Sequence, residues 1–98
     1  MAKAQSKNLA RKQRVVFSLK APDAREVKLI GDFNQWNLAT HPMKMDHTGV
    51  WKRIVMLSPG RYEYKFLVDG RWERDPKNDE ICSNCYGTDN SVIKIGAK

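Results

Sequence analysis

The sequence predicts an all-β fold, and alternation, a hairpin signal and regularly spaced turn residues are the observations behind this prediction. Aromatic or apolar residues occupy every second position in the middle of the chain: Tyr62, Tyr64, Phe66 and Val68. Side chains along a strand point alternately to its two faces, so these four residues should form one wall of a core. Asp69-Gly70 follows at once, and this pair favours a two-residue hairpin turn, because both central positions need positive φ.

The predicted hairpin places Val68 opposite Arg71 and Leu67 opposite Trp72. Opposed residues share a face, so Lys65 and Trp72 become diagonal neighbours on the side turned away from the aromatic wall. A flat indole beside an ammonium group on an outer face indicates a binding surface.

The remaining elements are short alternating segments bounded by turn residues. These further strands are predicted at residues 15–20, 26–31, 42–46, 50–57 and 91–95, with a polar loop running to about residue 89. About seven short strands with turn signals between them predict a small antiparallel β-sandwich of the immunoglobulin type. An open five-stranded barrel is the competing architecture.

Residues 58–60 (Ser-Pro-Gly) are predicted to turn the chain from the fourth strand into the aromatic strand, and two registers are open. A three-residue loop would put Ile54 and Met56 on the core side, whereas a four-residue loop would put Trp51 there. We expect the second register, because it buries the larger side chain.

Length and charge limit the organisation of the chain. Ninety-eight residues make one small domain, predicted to span residues 14–98. The net charge of +7 is largely local, because six of the 18 basic residues lie in residues 1–20, where no acidic residue occurs. Residues 1–13 are therefore interpreted as a disordered, solubilising basic tail rather than a nucleic-acid-binding arm.

The sequence also bears on location. No run approaches the roughly 18 apolar residues of a membrane span, so no membrane partner is expected. The N-terminus lacks the apolar core of a secretory signal, which makes a cytoplasmic location the expectation.

Catalysis is not expected, and neither is a cofactor. His41 and His47 both fall in a predicted loop, and the sequence contains no G-x-S-x-G, P-loop or H-E-x-x-H motif. Cys82 and Cys85 form a single Cys-x-x-Cys pair, which is a weak signal for zinc. We expect two free thiols without metal in a reducing compartment, with a disulfide or redox pair and a metal site as the alternatives.

The tryptophans carry the functional interpretation. Phe33 and Trp36 lie three apart in an irregular segment, so one should anchor the loop inward while the other projects. Trp72 is predicted on the outer face with Lys65. Small hydrogen-bonding side chains cluster near the end of the chain: Tyr86, Thr88 and Asn90. Such surfaces suit a sugar, because an indole takes the aliphatic face of a pyranose and the polar groups take its hydroxyls.

Ordered motifs over about residues 14–96 resemble the glycogen-binding domain of AMP-activated protein kinase β subunits. They are similar also to family 48 carbohydrate-binding modules and to the early-set domains of branching and debranching enzymes. The motifs are GDFNQW (31–36), GVW (49–51), LSPG (57–60), YKFLVDGRW (64–72), DP (75–76) and YGTDN (86–90).

The resemblance implies an immunoglobulin-like early-set sandwich that binds α-1,4-glucans (glycogen, starch, maltodextrins) without catalysis. The stacking tryptophans of the family fall on Trp36 and Trp72, and its sugar-contacting lysine falls on Lys65. The contacts after the last loop fall on Thr88 and Asn90, and Tyr86 replaces the family's loop leucine. The Cys-x-x-Cys pair lies outside the family pattern.

Two other functions remain open at this stage. The same fold could act as a protein-interaction module that recruits or regulates a glycogen-metabolism enzyme or kinase without binding sugar itself. A weaker third interpretation is a nucleic-acid binder that uses the basic tail. Ligand class separates the three: a soluble maltodextrin, a partner protein, or a nucleic acid bound in a salt-sensitive way.

Overall fold

The computed structural model describes residues 12–84 and 87–96. Most of the predicted basic tail lies outside this range. The described strands are β1 Gln13–Lys20, β2 Val27–Gly31, β3 Lys44–Met45, β4 Val50–Leu57, β5 Gly60–Val68, β6 Arg71–Glu73, β7 Ile81–Ser83 and β8 Asp89–Ile95. A one-turn 3₁₀ helix, Asp32–Asn34, follows β2. In the described part of the chain, no helix has the length and apolar character needed to cross a membrane.

The strands form two antiparallel sheets, which confirms the predicted all-β sandwich. One sheet has the order β1-β4-β3, and the other has the order β2-β5-β8-β7, with β6 paired to β5 beyond the end of β8. The sequence interpretation missed β7, which it placed in a polar loop. Three residues are too few to show a period, and β7 forms by pairing with β8, with Cys82 opposite Asn90.

The predicted hairpin between β4 and β5 is wrong, because these two strands lie in different sheets. β4 pairs with β1 and β3, and β5 pairs with β2, β6 and β8, so residues 58–59 carry the chain from one sheet to the other. The expected face of β4 is nevertheless confirmed. Trp51 is buried and donates its indole N–H to the Ala21 carbonyl at 2.9 Å, while Ile54 and Met56 are half-exposed.

The core lies between the two sheets and is built from the alternate positions of facing strands. Tyr64, Phe66 and Val68 of β5 are buried, as the alternation predicted. The Phe17 ring of β1 meets the Tyr64 ring edge-on, with the ring centroids 4.9 Å apart. The other members of the buried cluster are Leu19, Val27, Leu29, Met43, Trp51, Val55 and Leu57.

A polar network completes the core beside Tyr64. The Tyr64 hydroxyl donates to Asp75 Oδ2 at 2.8 Å, and the Asn78 side chain donates to the same hydroxyl at 3.1 Å. The Asp75 backbone N–H donates to Ser91 Oγ, so the Asp-Pro motif is attached to β8. Burial raises the pKa of Tyr64, which keeps this hydroxyl a donor.

The β5–β6 hairpin has the predicted register, with Leu67 opposite Trp72. Its turn residues, Asp69 and Gly70, have φ of +48° and +85°. The Asp69 carboxylate also accepts backbone N–H groups from Arg25 and Glu26 at 2.8–3.2 Å. These bonds attach the hairpin to the β1–β2 connection and so hold Trp72 on the outer face of the larger sheet.

Candidate functional site

A groove of about 750 Å³ lies on the outer face of the larger sheet. Eight side chains line it: Asp32, Trp36, Glu63, Lys65, Trp72, Asn84, Thr88 and Asn90. Five of the six predicted site residues are therefore brought together in one place. The sixth, Tyr86, lies outside the described residues.

The segment after β2 presents Trp36 to the groove. Asn34 is buried, and its Oδ1 accepts the Gly31 N–H while its amide donates to the Leu29 carbonyl, both at 3.0 Å. Phe33 points inward and packs on Phe17 with a centroid distance of 5.5 Å. The expectation that one aromatic residue anchors this loop and the other projects is thus confirmed, with Trp36 as the projecting one.

The two groove tryptophans form an angled pair. The ring centroids of Trp36 and Trp72 are 6.4 Å apart, and the ring planes are inclined at 58°. Trp72 is 47% exposed and Trp36 is half-buried. Both rings line the groove, so two flat apolar faces set at an angle to each other bound it.

Lys65 lies on the groove floor. It is only 7% exposed, and its ammonium group donates to Thr88 Oγ1 at 3.1 Å. Ile30 lies opposite it on β2 and is fully buried. The lysine stem therefore packs on apolar surface while its charged end reaches the polar wall of the groove.

The polar wall is a hydrogen-bonded network of side chains from β5, from β8 and from the residues that lie next to the ends of β7 and β8. The Asn84 side-chain amide donates to Thr88 Oγ1 at 2.8 Å and to Asn90 Oδ1 at 3.0 Å. Asn90 in turn donates to Glu63 Oε1 at 3.0 Å. This hydrogen bond, followed by the one from Arg61, lowers the pKa of Glu63. The network fixes which oxygen and nitrogen atoms face the groove.

Three lining residues were not predicted: Asp32, Glu63 and Asn84. Glu63 could have been found, because it lies two residues before Lys65 on the same face of β5. Asp32 stands in the GDFNQW motif, but nothing in its type indicates a groove position. Asn84 follows β7, so its place depends on a strand that the sequence did not reveal.

The other side chains singled out in the sequence lie away from the groove or at its border. His41 contacts the Asn34 amide through Nδ1 at 3.0 Å, and burial, followed by Arg53, lowers its pKa. His47 is exposed. Cys82 is a half-buried free thiol. Cys85 lies outside the described residues, so the state of the pair stays a prediction. Among the residues described, no three potential metal ligands cluster.

The sequence matches a known family over residues 13–98, the one described as the glycogen recognition site of AMP-activated protein kinase. Protein FLOURY ENDOSPERM 6, chloroplastic, of Oryza sativa subsp. japonica is 34% identical over 82 residues, which are 84% of this chain and 15% of that protein. 5'-AMP-activated protein kinase subunit beta-1 of Sus scrofa is 38% identical over 71 residues, which are 72% of this chain and 55% of that protein.

A third relative is the 1,4-alpha-glucan branching enzyme GlgB of Paraburkholderia xenovorans, 46% identical over 56 residues, which are 54% of this chain and 8% of the enzyme. The chain thus spans between 8% and 55% of the length of these relatives. The resemblance found in the sequence motifs is confirmed. The family match and the groove together lead to one conclusion: this chain belongs to the family of glycogen-recognition modules typified by AMP-activated protein kinase, whose members bind carbohydrate.

Proposed function

We propose that this protein is a non-catalytic module that binds α-1,4-glucan chains by stacking glucose units on Trp36 and Trp72. The angled indole pair is the observation that carries the proposal, since its faces lie 58° apart on an exposed surface. An α-1,4-linked chain curves, so successive pyranose rings present their apolar faces in different directions. A β-1,4-linked chain is a flat ribbon, and it can lie against only one of the two indoles.

The polar wall supplies the hydrogen bonds that sugar hydroxyls need. Lys65 contributes an ammonium donor. The Thr88 hydroxyl accepts from Lys65 and Asn84 and can still donate its own O–H, while Asn90 Oδ1 accepts one bond and can take a second. These groups are already oriented by the network from Asn84 to Glu63. Oriented partners lower the entropy cost of binding, because few protein side chains have to be ordered when the sugar arrives.

The groove offers little for glycoside hydrolysis. A general acid in such a reaction needs a raised pKa, so that it holds a proton near neutral pH. The pKa of Glu63 is lowered instead, because Asn90 and Arg61 donate hydrogen bonds to its carboxylate. Asp32 accepts two hydrogen bonds from neighbouring N–H groups. Both carboxylates therefore serve to hold the site together.

The proposal is tested by titrating the protein with maltoheptaose and, in parallel, with cellohexaose, while indole fluorescence is recorded. Stacking on two indoles with a few hydrogen bonds should give a Kd between roughly micromolar and millimolar, or about −8 to −4 kcal/mol. Trp51 is the third tryptophan and is buried in the core. Trp51→Phe should therefore remove background emission while leaving the sugar affinity unchanged.

Variants then assign the binding energy. Trp36→Ala and Trp72→Ala should each lose most of the affinity while the fold stays near wild-type stability, since both rings lie at the surface. Lys65→Ala should weaken binding less, because it removes one donor rather than a stacking platform. If neither sugar changes the indole signal at millimolar concentration, the glucan proposal fails.

A second function is favoured by a different surface. Val16, Ile54 and Met56 lie half-exposed and adjacent on the outer face of the β1-β4-β3 sheet. Arg14 and Lys52 flank them on the same face. The alternative is an interaction module that recruits or regulates a glycogen-metabolism enzyme or kinase, through an apolar and acidic surface on that partner. It becomes the leading proposal if maltoheptaose does not bind.

A further inference from the structure

Asp32 connects the two halves of the indole pair. Its Oδ1 accepts the Trp36 indole N–H at 2.9 Å. Its Oδ2 accepts the backbone N–H of Glu63 at 2.8 Å. Glu63 belongs to β5, the strand that also carries Lys65 and leads through the hairpin to Trp72. One carboxylate therefore joins the loop that bears the first tryptophan to the strand that positions the second.

The sheet explains why a side chain takes this role. β2 pairs with β5 as far as Gly31, which lies opposite Tyr64. The next residue of β2 would lie opposite Glu63, but the backbone leaves the sheet there and enters the 3₁₀ helix. The Asp32 carboxylate replaces the missing carbonyl and accepts the Glu63 N–H, so the ladder continues for one more step through a side chain.

Trp36 needs this support because its own backbone does not fix the ring. Gln35 and Trp36 both have left-handed backbone conformations, with φ of +54° and +57°. Backbone bonds hold the main chain of the turn: the Trp36 N–H donates to the Gly31 carbonyl at 2.9 Å, and the Asn37 N–H donates to the Asn34 carbonyl at 3.1 Å. The indole ring itself is tied by its N–H to Asp32.

We propose that Asp32 is a positioning residue that sets the angle between the Trp36 and Trp72 rings, and thereby the curvature of glucan that the groove accepts. This inference rests on the proposed function of the groove. A purely stabilising role is disfavoured by exposure. Both of its hydrogen bonds lie at the surface, where water can replace either partner at little cost to folding.

The test compares Asp32→Ala and Asp32→Asn with the exposed carboxylate variant Asp23→Asn as a control for charge. Asp32→Ala should weaken maltoheptaose binding about five- to tenfold, because the Trp36 ring is then no longer held at its angle to Trp72 and has to be ordered when the sugar binds. Asp32→Asn should weaken it less, since its single carbonyl oxygen can still accept one of the two N–H groups. Asp23→Asn should bind as the wild type does.

Circular dichroism of the indole pair separates positioning from stabilisation, because a residue that only stabilises the fold should not change this signal. Two indoles this close couple their transitions, and the resulting signal depends on the angle between the rings. Asp32→Ala should change this signal while the melting temperature falls by no more than a few degrees. The single variants Trp36→Ala and Trp72→Ala, which abolish the pair, define the signal to be followed. Asp32→Asn serves the same comparison if Asp32→Ala is too unstable to titrate.

The outcomes separate this inference from the proposed function. If Trp36→Ala loses affinity while Asp32→Ala keeps both its affinity and its dichroism signal, the positioning role is wrong and the glucan site stands. If Asp32→Ala loses affinity without any change in the signal, Asp32 contacts the sugar directly and the positioning role is again wrong. If Trp36→Ala binds maltoheptaose like the wild type, the proposed function fails and this inference fails with it.

Discussion

Gly31→Ala should be the most informative single-methyl change in this protein. Gly31 is the last residue of β2, where the chain leaves the sheet for the loop that bears Trp36. A Cβ atom added there would lie 2.6 Å from the Glu63 carbonyl oxygen and 2.8 Å from Tyr64 Cβ. Both are below the distance at which such atoms can coexist, and one is backbone. The two strands must therefore separate locally.

Alanine substitutions at three glycines separate the steric contribution to the loss of stability from the contribution of backbone strain. Gly31 is extended, with φ of −172°, so its substitution tests close approach alone, and overpacking of this kind costs about 1–3 kcal/mol. Gly70 has φ of +85° and open space around it, so Gly70→Ala tests backbone strain alone, at about 1–2 kcal/mol. Gly96 has open space and no positive φ, so Gly96→Ala should stay within about 0.5 kcal/mol of wild type.

Urea denaturation measures the free energies of unfolding, with equal m-values as the check that only stability has changed. For a domain of this size, each kcal/mol corresponds to about 4–8 °C in melting temperature, so Gly31→Ala should melt roughly 5 to 20 °C lower. It should also weaken maltoheptaose binding, because Glu63 moves away from Asp32. If Gly31→Ala and Gly96→Ala unfold alike, β2 and β5 part without cost and the reasoning is refuted.

Three further predictions concern the core, the thiols and pH. Trp51→Ala should lower the free energy of unfolding by about 3–5 kcal/mol, since it empties a buried site, whereas half-exposed Met56→Ala should cost clearly less; similar costs in urea titrations would contradict the assigned core. Cys82 and Cys85 should be free thiols, so native mass spectrometry in reducing buffer should give the apo mass, and a zinc adduct removed only by chelator would contradict this. The pKa of Glu63 is lowered by folding, so its contribution to stability should be complete above its ordinary value of 4.5 and be lost as pH falls through the lowered folded value. Glu63→Gln should remove that part of the pH dependence measured by thermal melting.

The features of the fold that could be predicted from the sequence are those that depend on residues close together in the chain. Alternation identified the faces of β5, and Asp69-Gly70 fixed the hairpin that places Trp72 near Lys65. By contrast, the Ser-Pro-Gly turn signal between β4 and β5 has the same form whether the chain folds back on itself or crosses to a second sheet. Which neighbour a strand pairs with is decided by contacts between residues far apart in the chain. The local pattern of a single sequence does not reveal these contacts.

The candidate site shows the same division. Its stacking and charged residues could be named in advance, because tryptophan and lysine stand out on an outer face. The residues that hold them could not be named so easily. Asp32 is important through two hydrogen bonds whose partners lie four and 31 residues away in the chain. Asn84 depends on β7, a three-residue strand with no period of its own.

The two faces of strand β5 serve different functions, because Tyr64 and Phe66 face the core while Glu63 and Lys65 face the groove. An insertion or deletion of one residue within this strand would exchange the faces of everything beyond it. Charged side chains would enter the core as aromatic rings left it, so folding and binding would be lost in a single genetic event. Connecting loops can change length without this penalty. The groove can therefore diverge by substitution and by loop length, but it cannot move along β5 in steps of one residue.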